Sequence, residues 1–310
     1  MSKTYIRKGE KMKSLAILMC SYNRKEKTLS AIEKIYSQQD FYNNKIQIYL
    51  LDDNSSDGTA EEISMTFPQV YIIKGSGNHY WNGGMNEAYK AAKVKDYDYY
   101  LWLNDDTFLY KDAISTLLNT YADLKSKLEN YPLIVVGTTK DTRGIVSYGG
   151  VKKVSTLKPL SFELINPEKN SNIINECDTF NGNIVLIDKE AYNKLNNLDE
   201  VFIHGMGDFD FGLRAKSLGI KSYVTNSTLG ICDKNSKKGT YLDPEISLIQ
   251  GFKRLFSIKG LPVKQWYIFT KRHGEKIWVI YFIKPYIEFI LVHMRKKIIK
   301  YRKSKELSHD

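Results

Sequence analysis

The sequence predicts an α/β fold with a mostly parallel sheet that is flanked by helices. Strand-like apolar runs and helix-like amphipathic runs alternate through residues 14–140, an order that is typical of βαβ units. Acidic side chains follow directly after two of the apolar runs, at the edge where open α/β sheets bind their ligands. The hydrophobic content of 42% and the charged content of 26% are ordinary for a chain with a folded core.

The first strand and the first helix show the two patterns most clearly. Leu15–Cys20 is apolar throughout, which predicts a strand that is buried on both faces. In Thr28–Gln38, the apolar residues Leu29, Ile32 and Ile35 recur at helical spacing and share one face. The chain therefore begins as a strand that is followed by a helix.

The remaining elements follow from the same patterns and from turn residues. Further apolar runs predict strands at Ile46–Leu51, Val70–Ile73, Tyr99–Leu103, Leu133–Val136, Ile184–Ile187 and Lys221–Val224. Amphipathic runs predict helices that begin at Thr59, that run from Trp81 through Ala92, and that cover Asp112–Leu128 and Phe209–Leu218. Two adjacent glycines within Val146–Val154 indicate a hairpin, and Gly219 ends the last of these helices.

The net charge of +11 is concentrated at one end of the chain. Residues 1–250 carry 31 Lys and Arg against 31 Asp and Glu, whereas residues 251–310 carry 15 against 4. We therefore expect a basic N-terminal segment at 1–13, a main domain at 14–240 and a basic region at 241–310.

Cysteine usage and hydropathy favour a cytoplasmic protein. The chain has three cysteines, which are widely spaced and odd in number, so a disulfide framework is not expected. The apolar stretch near the N-terminus is too short for a signal peptide. No run approaches the roughly 18 uninterrupted apolar residues of a membrane-spanning helix.

Pairs of carboxylates at strand ends predict a cation site. Asp105-Asp106 ends the run Tyr99–Leu103, Asp52-Asp53 ends Ile46–Leu51, and a third pair, Asp208 and Asp210, lies downstream. Clustered carboxylates repel one another unless they share a cation or a proton. Hard oxygen ligands suit Mg²⁺ or Mn²⁺, so the pattern points to a divalent metal that holds an anionic substrate.

Five short motifs in register resemble those of the family 2 glycosyltransferases, which are inverting enzymes of the GT-A fold that use sugar nucleotides. The motifs are Cys20-Ser21-Tyr22-Asn23-Arg24, Asp52-Asp53-Asn54-Ser55-Ser56-Asp57-Gly58-Thr59, Leu103-Asn104-Asp105-Asp106, Asn181-Gly182-Asn183 and Gly207-Asp208-Phe209-Asp210-Phe211-Gly212-Leu213-Arg214. The resemblance covers roughly residues 14–235. It implies a nucleotide-binding sheet, and the composition of residues 241–310 predicts a basic helical C-terminal extension.

The resemblance also implies which residues hold the nucleotide and the metal. It assigns Asp53 to the base, with Cys20 and Asn23 nearby, although the same residues are also ordinary turn formers. It assigns Asp106 to the metal and Asp105 to the ribose, and the alternative for Asp106 is a solvated helix N-cap. The cofactor is then Mg²⁺ or Mn²⁺, which stabilises the charge of the departing diphosphate.

The catalytic base that the resemblance implies is Asp208. A carboxylate within hydrogen-bond reach can take the proton of an acceptor hydroxyl. The family pattern usually has Glu-Asp at this point, whereas this chain has Gly207-Asp208, so one acidic neighbour is missing. Asp210 and Arg214 are spaced as an ordinary pair on a helix, and we treat Asp210 as supporting.

Several further residues are assigned to the donor and the acceptor. Gly83 and Gly84 open a helix and permit close approach of the nucleotide, and the alternative is a plain glycine-containing turn. By the resemblance, Asn181 and Gly182 shape the floor beneath the donor sugar. His204 is expected in the acceptor site or in a structural role, because the histidines are too scattered for a zinc site.

A later carboxylate is a candidate for a third metal ligand. Some relatives place such a ligand in the region after the strand Lys221–Val224, and Asp233 follows that strand in this chain. The alternative is that Asp233 is merely a solvated loop residue.

The basic region predicts a helix that lies on a membrane surface. The predicted helix spans Ile283–Tyr301, and its apolar face consists of Ile283, Ile287, Ile290, Leu291, Met294 and Ile298. Anionic headgroups attract each nearby basic residue by about 1 kcal/mol. An ordinary core-packing helix is the alternative. Nucleic acid is not an expected partner, because the aromatics lie among long aliphatics and form no exposed stacking array.

The resemblance therefore implies an enzyme that moves one sugar from a nucleoside-diphosphate sugar to a hydroxyl of a cell-surface glycan or lipid-linked acceptor. We expect it on the inner face of the cell membrane, and uridine, thymidine and guanosine donors all remain open. A nucleotidyltransferase of related fold is one alternative, although Cys20–Arg24 lacks the glycine-rich basic signature of that class. A catalytically inactive membrane-surface scaffold is the other.

Overall fold

The computed structural model describes residues 13–39, 41, 45–128, 131–170, 174–236, 238–243 and 245–291. Its contacts divide the chain into two compact units. The first consists of Met1–Lys152 with Glu163–Lys234, and the second of Lys153–Phe162 with Asn235–Asp310. The predicted N-terminal segment 1–13 lies outside the described residues, except for Lys13.

A ten-stranded sheet forms the centre of the first unit. The strands in the described part of the chain are β1 Ser14–Ser21, β2 Lys45–Asp52, β3 Tyr71–Lys74, β4 Tyr99–Leu103, β5 Phe108–Leu109, β6 Leu133–Lys140, β7 Val146–Tyr148, β8 Gly150–Lys153, β9 Phe162–Leu164, β10 Asn175–Cys177, β11 Thr179–Phe180, β12 Ile184–Asp188 and β13 Lys221–Ile231. The main path of the sheet has the order β10-β13-β6-β12-β4-β1-β2-β3, and β5 and β7 pair with β13 and β6. A separate small sheet has the order β11-β8-β9.

Among the described residues of the first unit, six segments are α-helices. They are α1 Lys25–Tyr36, α2 Thr59–Thr66, α3 Tyr80–Lys93, α4 Ala113–Lys127, α5 Lys189–Leu195 and α6 Gly207–Ser217. The predicted α/β sheet with flanking helices is confirmed. Its N-terminal half is parallel, since β1 pairs in parallel with both β2 and β4 and β2 pairs in parallel with β3. In the other half, β12 runs antiparallel between β4 and β6, while β13 is parallel to β6.

Helices cover both faces of the sheet, which explains why its strands read as continuous apolar runs. One core combines strand residues with residues of α1 and α4, among them Ile17, Leu50, Leu101, Ile32 and Leu117. The other combines strand residues with residues of α3, α5 and α6, among them Leu18, Trp102, Met85, Tyr192 and Phe211. Neighbouring residues of β1 alternate between the two cores, as the period of a strand requires.

The structure extends some elements beyond the predicted bounds. β13 continues to Ile231, past the predicted end at Val224, and its pairing with β6 shifts register between Val224 and Thr228. This irregular, polar stretch hides the strand from a reading of apolar alternation. α6 begins at Gly207, two residues before the predicted start, so Asp208 lies in its first turn.

The second unit is helical and packs largely through aromatic rings. Its helices are α7 Leu248–Leu255, α8 Val263–His273 and the helical residues 278–291. Phe289 is buried and its ring lies 4.9 Å from that of Phe252, while the ring of Tyr286 lies 5.6 Å from that of Phe256. Residues 283–291 of the predicted helix are thus helical, and its remainder, with Met294 and Ile298, lies outside the described residues. No helix in the described part of the chain is long and apolar enough to cross a membrane.

Candidate active site

Most of the predicted site residues lie at the carboxyl edge of the parallel strands. β1, β2 and β4 all end there, because they are parallel to one another. The antiparallel strand β12 begins at the same edge, since Ile184 pairs with Leu103. The loops that follow or precede these strand ends are therefore neighbours in space.

Asp53 orders the loop that leads into α3. Its Oδ1 accepts a hydrogen bond from the N–H of Gly77 at 2.8 Å, and its Oδ2 accepts from the N–H groups of His79 and Tyr80 at 2.9 and 3.0 Å. The side chain is buried, and three donors satisfy its charge. In the structure Asp53 thus organises a helix start, and its assignment to the base stays a prediction.

Asn23 joins two loops at this edge of the sheet. It has a positive φ of 50°, its N–H donates to Ser55 Oγ at 2.9 Å, and its Oδ1 accepts from the N–H of Ser56 at 2.7 Å. Asparagine tolerates this left-handed conformation better than most residues. The loops after β1 and β2, which carry Asn23 and Asp53, are consequently held together.

The Cys20 side chain contacts the start of α3 and is influenced by the acidic groups at two strand ends. Its Sγ donates to the carbonyl oxygen of Tyr80 at 3.4 Å. Burial raises the pKa of the Cys20 thiol, and the nearby carboxylates Asp105 and Asp53 raise it further. The thiol is therefore neutral, and the two strand ends that carry these acids converge around it.

Arg24 bridges the two carboxylates of the predicted metal motif. Its Nη1 donates to Asp105 Oδ1 at 3.0 Å and to Asp106 Oδ2 at 2.9 Å. Burial raises the pKa of Asp105 to about 6, the charge of Arg24 lowers it and that of Asp106 raises it. The motif Cys20–Arg24 predicts no role for Arg24, although the positive charge four residues after Cys20 is a signal in the sequence.

A thiol and an amide complete the surroundings of Asp106. Cys232 Sγ lies 3.6 Å from Asp106 Oδ1, and Asn183 Nδ2 donates to Cys232 Sγ at 3.3 Å. Asp233 is turned to a different neighbour, because its Oδ1 accepts from both the N–H and the hydroxyl of Thr142 at 2.7 and 3.0 Å. The structure thus brings Cys232 next to Asp106, whereas the side chain of Asp233 is bonded to Thr142.

Asp208 is held by the tripeptide Asn181-Gly182-Asn183. The N–H of Gly182 donates to Asp208 Oδ2 at 3.0 Å, and the N–H of Phe209 donates to Asp208 Oδ1 at 2.8 Å. Burial raises the pKa of Asp208, while these two N–H groups lower it. A carboxylate with a raised pKa is a better proton acceptor near neutral pH.

The same tripeptide connects Asp208 with the Asp106 side of the site. Gly182 contacts Asp208, and the next residue, Asn183, contacts Cys232 beside Asp106. The carbonyl oxygen of Asn183 also accepts from the N–H of Asn104, the residue before Asp105. Asp106 and Asp208 therefore lie on either side of one short segment.

Trp81 explains why residue 182 is a glycine. A Cβ at Gly182 would lie 2.4 Å from Trp81 Cζ2. The indole Nε1 of Trp81 donates to Asn104 Oδ1 at 2.7 Å, and its ring meets that of Trp102 edge-on at 5.8 Å. Sequence reasoning missed the structural roles of Trp81 and Asn104, because neither has charge and the two are joined only by the fold.

The other predicted glycines serve packing as well as access. A Cβ at Gly84 would lie 2.2 Å from Cys20 Sγ, so this glycine lets α3 approach β1. A Cβ at Gly83 would meet the His79 side chain at an ordinary 3.4 Å, so Gly83 has no comparable constraint. Gly84 thus has a structural reason that does not involve a ligand.

Asn181 and His204 border the same region. Asn181 Oδ1 accepts from the N–H of Gly149 at a long 3.4 Å. The His204 ring meets the Tyr80 ring edge-on at 5.9 Å, next to the loop that Asp53 orders. The roles of both residues stay predictions.

A metal ion at this edge would have two protein carboxylates to bind. Among the residues that the structure describes, no group of three or more His, Cys, Asp or Glu side chains is arranged to hold a metal. At this edge of the sheet, Asp105 and Asp106 both contact one cation, the Arg24 guanidinium. Protein sites for Mg²⁺ commonly use one or two carboxylates and leave the remaining positions to substrate phosphates and water.

Comparisons with known proteins agree with the fold. The family model "Glycosyl transferase family 2" matches residues 16–190, which is more than half of the chain. No curated protein matches the sequence.

Solved structures with the same fold are distant in sequence. A mannosyltransferase from Pyrobaculum calidifontis in complex with GDP-Man and Mn²⁺ has 14% identity and a TM-score of 0.54, and the match covers 91% of this chain and 72% of that one. TarS residues 1–349 from S. aureus have 10% identity and a TM-score of 0.51, over 87% and 72%. GalNAc-T7 with UDP, GalNAc and Mn²⁺ has 13% identity and a TM-score of 0.54, over 85% and 51%. At these identities the likeness concerns the fold.

Proposed function

Because the chain belongs to glycosyl transferase family 2, we propose that it transfers one sugar from a nucleoside-diphosphate sugar to a hydroxyl group with inversion at the anomeric carbon. The predicted glycosyltransferase fold is confirmed, and the enzyme class follows from the family. The donor, the stereochemistry and the acceptor are our proposals. Support for the donor comes from the acidic strand ends around Cys20, which suit a nucleotide bound through a cation.

Asp208 is the proposed base of a single displacement. The oxygen of the acceptor hydroxyl forms a bond to the anomeric carbon while the bond from that carbon to the diphosphate oxygen breaks. The hydroxyl proton passes to Asp208, and the electron pair of the broken bond leaves with the diphosphate. The observation that carries this role is the placement of Asp208 by the Gly182 N–H, across one tripeptide from Asp106.

The residues at the other side of that tripeptide fit a divalent cation. Asp105 and Asp106 offer carboxylate oxygens, the ligands that Mg²⁺ and Mn²⁺ prefer. The Arg24 guanidinium contacts both at 2.9–3.0 Å, which supports a position for positive charge between them. When bound, the metal would neutralise the growing negative charge of the diphosphate. Asp106 is the proposed ligand, and Asp233 is a weaker candidate because it faces Thr142.

The substitution Asp208→Asn tests the proposed chemistry. We expect sugar transfer to fall by about 10²-fold or more, because the amide cannot accept the hydroxyl proton. Binding of UDP or GDP with Mn²⁺ should change little, because Asp208 has no proposed contact with the nucleotide. A panel of nucleotide sugars, scored by thermal shift with Mn²⁺, identifies the donor for this assay.

The matched control is Asp123→Asn, which changes an exposed carboxylate of α4. Transfer at the wild-type rate in Asp208→Asn would remove Asp208 from the mechanism. A wild-type protein that binds the nucleotide sugar but transfers to no acceptor would favour the inactive scaffold.

A membrane surface is the proposed location of the acceptor, through the second unit. Thirteen of the 23 exposed large apolar side chains among the described residues lie between residues 242 and 291. In the helical residues 278–291, one apolar face is exposed, with Ile280 at 62%, Ile283 at 43% and Ile287 at 51%. Exposed apolar faces of this kind are typical of membrane or protein contacts, and the basic excess of residues 251–310 favours an anionic bilayer. We therefore propose a peripheral location on the inner face of the cell membrane and a lipid-linked glycan acceptor.

A further inference from the structure

One cation of the protein lies where the proposed metal would lie. A single nitrogen of Arg24, Nη1, donates to Asp105 Oδ1 at 3.0 Å and to Asp106 Oδ2 at 2.9 Å. The positive charge of the guanidinium reduces the repulsion between the two carboxylates, and a divalent cation would have the same effect. The guanidinium and a metal ion therefore compete for the same pair of carboxylates.

The two carboxylates are more deeply buried than the Arg24 side chain, so the guanidinium has a route from them into solvent. The side chains of Asp105 and Asp106 are 7% and 13% exposed, whereas that of Arg24 is 42% exposed. The carboxylates are thus fixed in the protein, and the guanidinium approaches them from solvent. Rotation of the Arg24 side chain into solvent requires no change in the core.

The backbone of Arg24 is anchored independently of its side chain. Its carbonyl oxygen accepts from both the N–H and the hydroxyl of Thr28, each at 2.9 Å, at the start of α1. Its side chain makes no capping bond to that helix. A guanidinium that leaves the carboxylates therefore stays tethered at the edge of the site.

We propose that the Arg24 side chain changes partners when the donor binds: without donor it occupies the acidic pair and opposes metal binding, and with donor and metal present it contacts the diphosphate. This inference rests on the proposed function, because it requires a diphosphate and a divalent metal. Arginine suits both partners, since its planar donors match carboxylate and phosphate oxygens alike. In this role Arg24 is a positioning residue that couples metal binding to donor binding.

The proposal predicts opposite effects of one substitution on two affinities. Arg24→Met keeps the length of the side chain and removes its charge. Mn²⁺ alone should bind the variant about fivefold more tightly or better, because the competing cation is gone. UDP or GDP, titrated at saturating Mn²⁺, should bind about 10-fold to 100-fold more weakly, because a charged hydrogen bond to the diphosphate is lost.

Isothermal titration calorimetry on the full chain measures both affinities, with MnCl₂ alone and then with whichever of UDP and GDP the wild type binds. Arg24→Lys retains a positive charge without the planar fork of arginine. Its Mn²⁺ affinity should therefore stay near that of the wild type, and its nucleotide affinity should lie between those of the wild type and Arg24→Met. The matched control is Arg272→Met, which removes an exposed arginine of α8 in the second unit. We expect the control to leave both affinities unchanged.

Any other pair of affinities contradicts either the competition with the metal, the contact with the diphosphate or the proposed function. If Arg24→Met weakens both affinities, Arg24 only arranges the carboxylates, and if the Mn²⁺ affinity does not rise, there is no competition. Tighter Mn²⁺ with an unchanged nucleotide affinity overturns the contact with the diphosphate. A wild type that binds neither nucleotide with Mn²⁺ overturns the proposed function as well, which separates the two failures.

Discussion

At Gly207, the first residue of α6, there is no space for a side chain. A Cβ at this position would lie 1.7 Å from Asn82 Oδ1. Asn82 is itself fixed, because its Nδ2 donates to the carbonyl oxygens of Asp199 and Phe202 at 3.0 and 2.5 Å. The acidic residue that usually precedes the base in this family therefore has no room here, since Asn82 fills the space.

Gly207→Ala tests this packing. We expect the free energy of unfolding to fall by about 1–3 kcal/mol, because the new methyl group must displace a buried amide. Urea denaturation of the variant and the wild type measures the change. Gly205→Ala is the matched control, because a Cβ there would meet nothing within 4 Å. Equal stability of Gly207→Ala and Gly205→Ala would show that the start of α6 adapts freely.

At the residue scale, acidic candidates could be found from the sequence, and their partners could not. Asp105, Asp106 and Asp208 were identified by type and by their place after strands or within a motif. Arg24 and Cys232 contact Asp106 only because the fold joins chain segments more than 80 residues apart. A partner at such a separation has no periodic signal, so the ion pair of Arg24 with the metal motif could not be predicted.

The start of α3 is stabilised by the side chain of Asp53, which is distant in the sequence. Three backbone N–H groups in the loop before and at the start of α3 donate to Asp53, which lies at the end of β2. The helix has no side-chain cap of its own at His79. Asp53 therefore acts as the cap that the local sequence lacks.

Asp53→Asn should loosen this loop. One of its oxygens becomes an NH₂ group, so at least one of the three N–H groups loses its acceptor, and we expect a loss of about 1–3 kcal/mol in the free energy of unfolding. Hydrogen–deuterium exchange at Gly77, His79 and Tyr80 measures the local effect, which should be faster exchange than in the wild type. Unchanged exchange at all three amides would mean that other contacts order the loop, and would favour a direct role for Asp53 in binding the base.

At the element scale, the buried strands and the longer helices could be predicted because their patterns are local. β1 and β2 read as apolar runs since both faces are covered by helices. The short strand β5 and the far end of β13 could not be predicted, because β5 has only two residues and the end of β13 is polar and irregular in register. These residues form strands because the neighbouring strands of the sheet supply their hydrogen-bond partners. Their own β-propensity is too weak to predict this.

At the scale of the whole molecule, charge and exposed apolar area are concentrated in the second unit. Lys284 pairs with Glu288 at 3.7 Å on the helical residues 278–291, while Phe289 packs inside the unit. The aliphatic residues Ile280, Ile283 and Ile287 of the same helix are exposed. This exposed face is the docking surface that we propose for an anionic bilayer.

Substitution of Ile283 and Ile287 by glutamate tests this surface. We expect binding to vesicles that contain phosphatidylglycerol to weaken by about tenfold or more, because apolar burial is lost and the new charges repel anionic headgroups. Co-sedimentation with such vesicles, and with neutral phosphatidylcholine vesicles, measures the binding. Val94→Glu, at an 81% exposed position of the first unit, is the control for added charge. Unchanged sedimentation of the double variant would reject the proposed surface.

The claim on which the account depends is that Asp106 binds a divalent cation together with the diphosphate of a nucleotide. Electron paramagnetic resonance of Mn²⁺, titrated with UDP and with GDP, measures the bound metal in the wild type, in Asp106→Asn and in the control Asp123→Asn. We predict that the nucleotide increases Mn²⁺ binding in the wild type and the control, and that Asp106→Asn loses this increase. An undiminished nucleotide-dependent Mn²⁺ signal in Asp106→Asn would contradict the account.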